Sequence, residues 1–303
     1  MDRSAAPARR SPLATLRVVL EMIKFEHTLF ALPFAFLGMV LAAGGWPSWR
    51  TVGWIVVAMV GARSAAMGFN RLADRRFDAA NPRTATRAIP AGEVSPGWVA
   101  GFVAVNAALL VVAAWRLNPL ALALSPLALA VVLGYSWTKR FTWASHLFLG
   151  IALSGAPLGA WIAVRGDVAP TPFALAGAVA LWVAGFDVLY ALQDVDFDRR
   201  TGLHSVPARF GTAGALVVSG ALHLGTLALL AAVPALYAAD APGAPALGAV
   251  YWLGWAGCAA LVAWQHSIVR PNDLSRLDAA FFQANGALSL WLFAATAVDL
   301  LAV

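Results

Sequence analysis

The chain has 303 residues, of which 61% are hydrophobic and only 12% are charged, with a formal net charge of +6. A soluble domain carries about a quarter of its residues as charged side chains, so the composition excludes that class. The single cysteine, Cys258, excludes an intrachain disulfide, and the basic excess is read as membrane orientation, with no nucleic-acid partner.

A spanning helix needs about 20 apolar residues to cross a hydrocarbon core of about 30 Å. Apolar runs of that kind fall at roughly 22–43, 51–70, 97–115, 118–137, 145–164, 172–193, 212–237, 247–265 and 279–301. Nothing alternates with period two for long, which excludes a β-barrel. The prediction is an all-α integral membrane bundle of nine transmembrane helices, a single domain over residues 1–303.

Residues 1–19 are basic and rich in Pro and Ala, without the short apolar core and small-residue cleavage site of a signal peptide. They read as a cytosolic tail. With that tail inside, 17 of the 21 Lys and Arg residues fall on the cytoplasmic face. Arg50, Arg116 and Arg165 lie opposite, and Arg63 lies within the second span. The positive-inside rule therefore sets the orientation.

At the end of the second span stands "NRLADRRFDAANPRTATRAIP", from Asn70 to Pro90. Asn70, Asp74 and Asp78 are spaced four and four, so a helix continuing out of the membrane carries them on one face. Orientation does not call for acids, and two carboxylates one turn apart repel unless a cation sits between them. The fourth span ends in "GYSWTKRFTW", with Tyr135 and Lys139 four apart. The sixth ends in "DVLYALQDVDFDRR", where Asp187, Tyr190, Asp194 and Asp198 form a second helical stripe. "DRRFD" and "DVDFD" resemble each other at a separation of 120 residues, a short hint of internal duplication. Four spans separate the clusters, so both reach the same membrane surface.

Two aspartate pairs at one surface, Asp74 with Asp78 and Asp194 with Asp198, have the oxygen chemistry of a Mg²⁺ site, which commonly completes its shell with substrate phosphates. Asn70, Arg83, Arg87, Lys139, Arg199 and Arg209 then read as a clamp for a diphosphate. The competing reading is a set of solvated loop charges.

"NRLADRRFD" resembles the N-x-x-x-D-x-x-x-D motif of the UbiA superfamily of intramembrane prenyltransferases. "DVLYALQDVDFD" resembles its second motif, D-x-x-Y-A-x-x-D-x-x-x-D; "GYSWTKRFTW" and "GLHSVPARFG" resemble the segments between and after them. The likeness runs from Phe25 to the last span. It implies a helical bundle around a central cavity, opening beneath cytoplasmic cap loops, in a bacterial inner membrane. It implies Mg²⁺-dependent transfer of a polyprenyl group from its diphosphate to an aromatic acid acceptor in respiratory quinone biosynthesis. The acceptor is of the 4-hydroxybenzoate type, with a dihydroxynaphthoate of menaquinone biosynthesis as the alternative.

On that resemblance Tyr135 and Tyr190 shelter an allyl cation by cation–π attraction. Asp187 orients the acceptor's hydroxyl or takes the ring proton. Arg63 anchors the acceptor's carboxylate, or else pairs with Asp187 or snorkels to the surface. His223, Gln283 and Asn285 read as interhelical hydrogen-bonders. Glu26, His27 and Asp196 receive no role.

A transporter would place its acids near the midplane, often on broken helices, and these stand at one surface. A CDP-alcohol phosphotransferase would carry D-G-x-x-A-R, and a soluble isoprenyl synthase D-D-x-x-D without spans. Neither pattern is present.

Overall fold

The computed structural model describes residues 11–23 and 28–301, with side chains omitted for 28–31. Residues 1–10, Lys24, Glu26 and His27, on which part of the tail and of the first span was expected, lie outside the described residues.

Three helices start at a Ser-Pro or Asn-Pro pair. Ser11, Ser95 and Asn118 accept the backbone amides of Ala14, Trp98 and Ala121, and a proline follows each as the first helical residue. Proline costs nothing there because that amide has no intrahelical partner. The elements are α1 (Pro12–Met22), α2 (Thr28–Ala43), α3 (Trp49–Ala80), α4 (Pro96–Leu117) and α5 (Pro119–Gly134). Then come α6 (Ser145–Arg165), α7 (Pro170–Tyr190), α8 (Val195–Thr201), α9 (Val206–Asp240), α10 (Ala249–Ile268) and α11 (Ala284–Leu301). No strand occurs among the described residues.

Seven helices are long and apolar enough to cross a membrane among the described residues. The other two expected spans fall on α2, whose apolar stretch Leu32–Ala43 is too short to qualify, and on α10. Helix α10 has 20 residues, but three tryptophans, Tyr251, Gln265 and His266 dilute its apolar character.

The main core joins α2, α6, α7 and α9 to α11, with Trp161, Trp182, Tyr237 and Tyr251 fully buried. Close approach is made possible by Gly38, which meets the Pro157 carbonyl, and Gly150, which meets that of Ala180; a side chain at either would strike backbone. Of the three expected interhelical hydrogen-bonders, Asn285 and His223 have such partners, and Gln283 is exposed. Asn285 accepts from Trp182 Nε1 at 2.9 Å, and His223 Nδ1 lies 2.8 Å from His266 Nε2. Trp115, Phe173 and Leu253 remain exposed, as lipid-facing side chains are.

Three features position the site. Helix α3 has 32 residues, or about 48 Å at 1.5 Å per residue, so its last turns extend beyond a hydrocarbon core of about 30 Å. The loop after it is held by α1, whose buried Val19 packs with Ala88, Ile89, Val94 and Val99. The second motif departs from the single stripe expected of it. Helix α7 ends at Tyr190, a 3₁₀ turn covers Ala191–Asp194, and α8 begins at Val195. The 3₁₀ turn interrupts the helix between Asp187 and Asp194, and Asp187, Asp194 and Asp198 still line one cavity. Tyr135–Arg140 is likewise 3₁₀, so Lys139 does not simply extend α5.

Candidate active site at the motif-bearing end of the bundle

One cavity of about 560 Å³ runs through the bundle. The end away from the motifs is lined by Leu117, Ile162 and Ala163, and the middle by Met59, Leu149, Val179, Trp182 and Phe186. Asn70, Asp74, Asp78, Asp194 and Asp198 line the other end, together with Arg83, Arg87 and Lys139. Tyr135, Tyr190, Asp187 and Arg63 are also on its wall.

Each acid of the charged end takes a side-chain partner, which for Asp198 is Ser205. Buried Asp74 accepts from Asn70 Nδ2 at 3.1 Å, with Lys139 Nζ at 3.8 Å and Arg140 Nη2 at 3.5 Å. Asp78 accepts from Arg87 Nη1 at 2.6 Å, and its backbone carbonyl accepts from Thr84. Asp194 accepts from Arg83 Nε at 2.9 Å and from Asn81 Nδ2 at 3.1 Å, which ties the first motif's loop to the second motif. Arg83 also reaches the Tyr190 hydroxyl at 3.5 Å, and Tyr190 packs on Phe281 with ring centroids 4.3 Å apart.

Burial of Arg83 works against its charge, but the hydrogen bonds and field of Asp194 outweigh it and raise its pKa. The side chain is a fixed cation. These pairs are partly buried, so removing one partner without a replacement leaves a costly uncompensated charge.

Among the described residues, no three His, Cys, Asp or Glu side chains converge as a metal-binding group. The donor set nonetheless fits a hard divalent cation, since four carboxylates and an asparagine supply only oxygen toward it. Asp78 Oδ2 is buried with no hydrogen-bond partner, an acceptor that a cation would satisfy.

Arg199 and Arg209 are not brought to this cavity. Both are exposed; Arg199 donates to the Ala208 carbonyl, and Arg209 lies over the rings of Trp143 and Phe210. Gly211 follows two residues later, and its positive φ of 70° breaks α9 after the first turn, so Arg209 does not belong to the main helix.

Several lining residues escaped the motif reading: Arg71, Asn81, Thr84, His146, His204 and Ser205. Asn81 was readable as a possible cap at the end of α3. His146 had no signal in local spacing, because its partners, Asp187 and Val206, are 41 and 60 residues away.

The model of the UbiA prenyltransferase family matches residues 31–293. The chain belongs to the UbiA prenyltransferase family. This family member is 35% identical over 202 residues to the 4-hydroxybenzoate octaprenyltransferase of Vibrio parahaemolyticus serotype O3:K6 (strain RIMD 2210633), covering 66% of this chain and 70% of that one. It is 34% identical over 250 residues to the protein of the same name from Aeromonas salmonicida (strain A449), covering 82% and 83%. The apo structure of a UbiA homolog from Aeropyrum pernix K1 matches with a TM-score of 0.81 at 36% identity, over 91% of this chain and 98% of that one. The fold is also that of a UbiA homolog from Archaeoglobus fulgidus bound to GPP and Mg²⁺, with a TM-score of 0.71 at 20% identity over 94% and 100% of the two chains. The chain is thus an integral membrane prenyltransferase resembling the 4-hydroxybenzoate enzymes.

Proposed function

We propose that this UbiA-family enzyme transfers a polyprenyl group from an allylic diphosphate to an aromatic acid of the 4-hydroxybenzoate type, with Mg²⁺, in respiratory quinone biosynthesis. One observation carries the reading: both aspartate motifs and their cations line one end of a cavity whose remaining wall is mostly apolar. A prenyl diphosphate divides the same way, into a doubly charged head and a long apolar tail. Relatives named 4-hydroxybenzoate octaprenyltransferase support the acceptor class.

Asp74, Asp78, Asp194 and Asp198 are the proposed metal ligands. Bound Mg²⁺ supplies positive charge against the departing diphosphate. Arg83, Arg87 and Lys139, with Asn70, exchange their carboxylate partners for phosphate oxygens as the substrate's head enters, and they hold it while its charge grows. The bond from the allylic carbon to the diphosphate oxygen breaks, and a ring carbon of the acceptor forms the new carbon–carbon bond. Loss of that carbon's proton restores the aromatic ring. Tyr135 and Tyr190 face the cation by their rings. Asp187 binds the acceptor's hydroxyl or receives the ring proton, and Arg63 attracts its carboxylate.

In the proposed topology all nine helical segments span a bacterial inner membrane, with the motif end in the cytoplasm. Tags in loops 79–95 and 199–210 should then be shielded from an impermeant reagent in intact cells; labelling of either from outside contradicts it.

The deciding experiment incubates membranes holding the enzyme with geranyl diphosphate and each labelled acceptor. Prenylated 4-hydroxybenzoate is the expected product. A product formed only from 1,4-dihydroxy-6-naphthoate moves the enzyme to menaquinone biosynthesis, and none from either acceptor removes the reading.

A further inference from the structure

His146 is the second residue of α6, its side chain 6% exposed, on the wall of the cavity. Its ring meets two other elements. Nδ1 lies 2.7 Å from Asp187 Oδ2 on α7, and Nε2 lies 3.2 Å from the backbone nitrogen of Val206. A backbone amide can only donate, so Nε2 is the bare, accepting nitrogen. The proton of the neutral ring is therefore on Nδ1, and Nδ1–H donates to the Asp187 carboxylate. The reason for the donor's presence is helical: Val206 is the first residue of α9, where amides lack intrahelical partners. The start of α9 thus selects the tautomer, and the tautomer selects the state of Asp187 as an acceptor.

The geometry points to His146 as a positioning residue that fixes Asp187 to receive the acceptor's hydroxyl. This rests on the proposed prenyl transfer and deepens it by assigning an orientation to the aromatic substrate. With Oδ2 committed to His146, the other oxygen of Asp187 is left for a phenolic O–H, which it binds and polarises without breaking. Asp187 repels a carboxylate, whereas Arg63 on the same cavity wall attracts one. An aromatic ring with a hydroxyl at one end and an acid at the other is thereby held in one direction, and its hydroxyl oxygen is made electron-rich. Orientation of this kind acts on the acceptor and leaves the prenyl diphosphate's own contacts untouched.

The test compares His146→Leu, which keeps volume and removes both hydrogen bonds, with His146→Gln. A glutamine amide can donate to Asp187 and accept from Val206. Membranes carrying each variant are assayed with geranyl diphosphate and 4-hydroxybenzoate. The leucine variant should raise the acceptor's KM or lower kcat by about 10- to 100-fold, the size of a lost hydrogen bond to a charged group, with the KM for geranyl diphosphate unchanged. Glutamine should restore most of the loss, and His146→Leu should cost nothing further on an Asp187→Asn background. Equal weakening of both substrates, no loss in the leucine variant, no recovery with glutamine, or a full additional loss on that background overturns the assignment.

Nitrogen-15 spectra of histidine-labelled wild-type enzyme in bilayers, with His146→Gln to locate the signal, test it without a destabilised variant and without turnover. A His146 ring protonated on Nδ1 and bare on Nε2 supports it, and the opposite tautomer overturns it. Absence of product from the wild type would remove the proposed reaction, while the tautomer would still be read independently.

Discussion

Two aspartates far from the motifs differ from the motif acids in their kind of partner, although Asp167 at that same end pairs with Arg165 at 3.1 Å. Away from the motifs, Asp240 at the end of α9 accepts the Thr171 amide at 2.7 Å, and Asp299 near the end of α11 accepts the Tyr251 amide at 3.2 Å. Each carboxylate caps the N-terminus of a neighbouring helix, where orphan amides and the helix dipole favour negative charge. At the motif end, Asp74, Asp78 and Asp194 instead accept from guanidinium, ammonium and amide side chains along a cavity. Backbone caps have no other place to go. Side-chain cations can change partners, which is what binding an anionic substrate head requires. The contrast separates acids that hold the bundle together from acids placed for chemistry.

The sharpest way to break that contrast is to remove one acid of each motif. Asp74→Ala or Asp194→Ala should lower turnover by at least about 10²- to 10³-fold, the cost of losing one electrostatic group at a reacting centre, while membrane-inserted protein stays at wild-type level. Product formed per unit of protein measures this. Near wild-type activity in either variant at limiting Mg²⁺ means the two-motif site is wrong.

A smaller effect is expected from the cations. Lys139→Ala should raise the KM for the prenyl diphosphate, lower turnover, or both, by about tenfold, since one charged hydrogen bond is lost. Arg63→Met should act mainly on the acceptor. Steady-state kinetics with each substrate varied in turn separates the two, and a Lys139 variant impaired only for acceptor reverses the assignment.

At the opposite end, Asp240→Ala and Asp299→Ala should each destabilise the fold by about 1 kcal/mol, the usual cost of a lost helix cap. Thermal unfolding in bilayers should shift downward, with the specific activity of the remaining folded enzyme unchanged. A loss of activity without a shift in stability would erase the distinction between the two ends.

The smallest effect concerns the cations outside the cavity. Arg199→Ala and Arg209→Ala should change neither kinetic constant measurably, and stability only within about 0.5 kcal/mol, as for ordinary surface substitutions. An effect on the prenyl diphosphate's KM as large as that of Lys139→Ala would return both residues to the diphosphate site.

Much of this was legible in the sequence because the membrane imposes simple rules. Apolar length gave the helices, and four-residue spacing gave the face shared by Asn70, Asp74 and Asp78, since α3 does run unbroken to Ala80. The second motif was harder to read. Nothing in "YALQD" marks a 3₁₀ turn, so the stripe from Asp187 to Asp198 looked continuous and is not. Proximity in sequence misplaced Arg199, which turns to the Ala208 carbonyl, and Arg209, whose turn is set off from the rest of α9 by Gly211. Long-range pairs were invisible for another reason. Asp194 with Asn81 and Arg83, or His146 with Asp187, meet through the packing of separate helices, and no local period records that.

Turnover of geranyl diphosphate and 4-hydroxybenzoate by the purified enzyme in bilayers, followed by mass spectrometry of the product across a Mg²⁺ titration, tests the central claim most directly. Wild-type enzyme, Asp74→Ala and Asp240→Ala are compared side by side. The account predicts a prenylated acid that forms only with Mg²⁺, is lost in Asp74→Ala and persists in Asp240→Ala. Product that forms equally well without divalent metal, or an Asp74→Ala enzyme as active as Asp240→Ala, would contradict it.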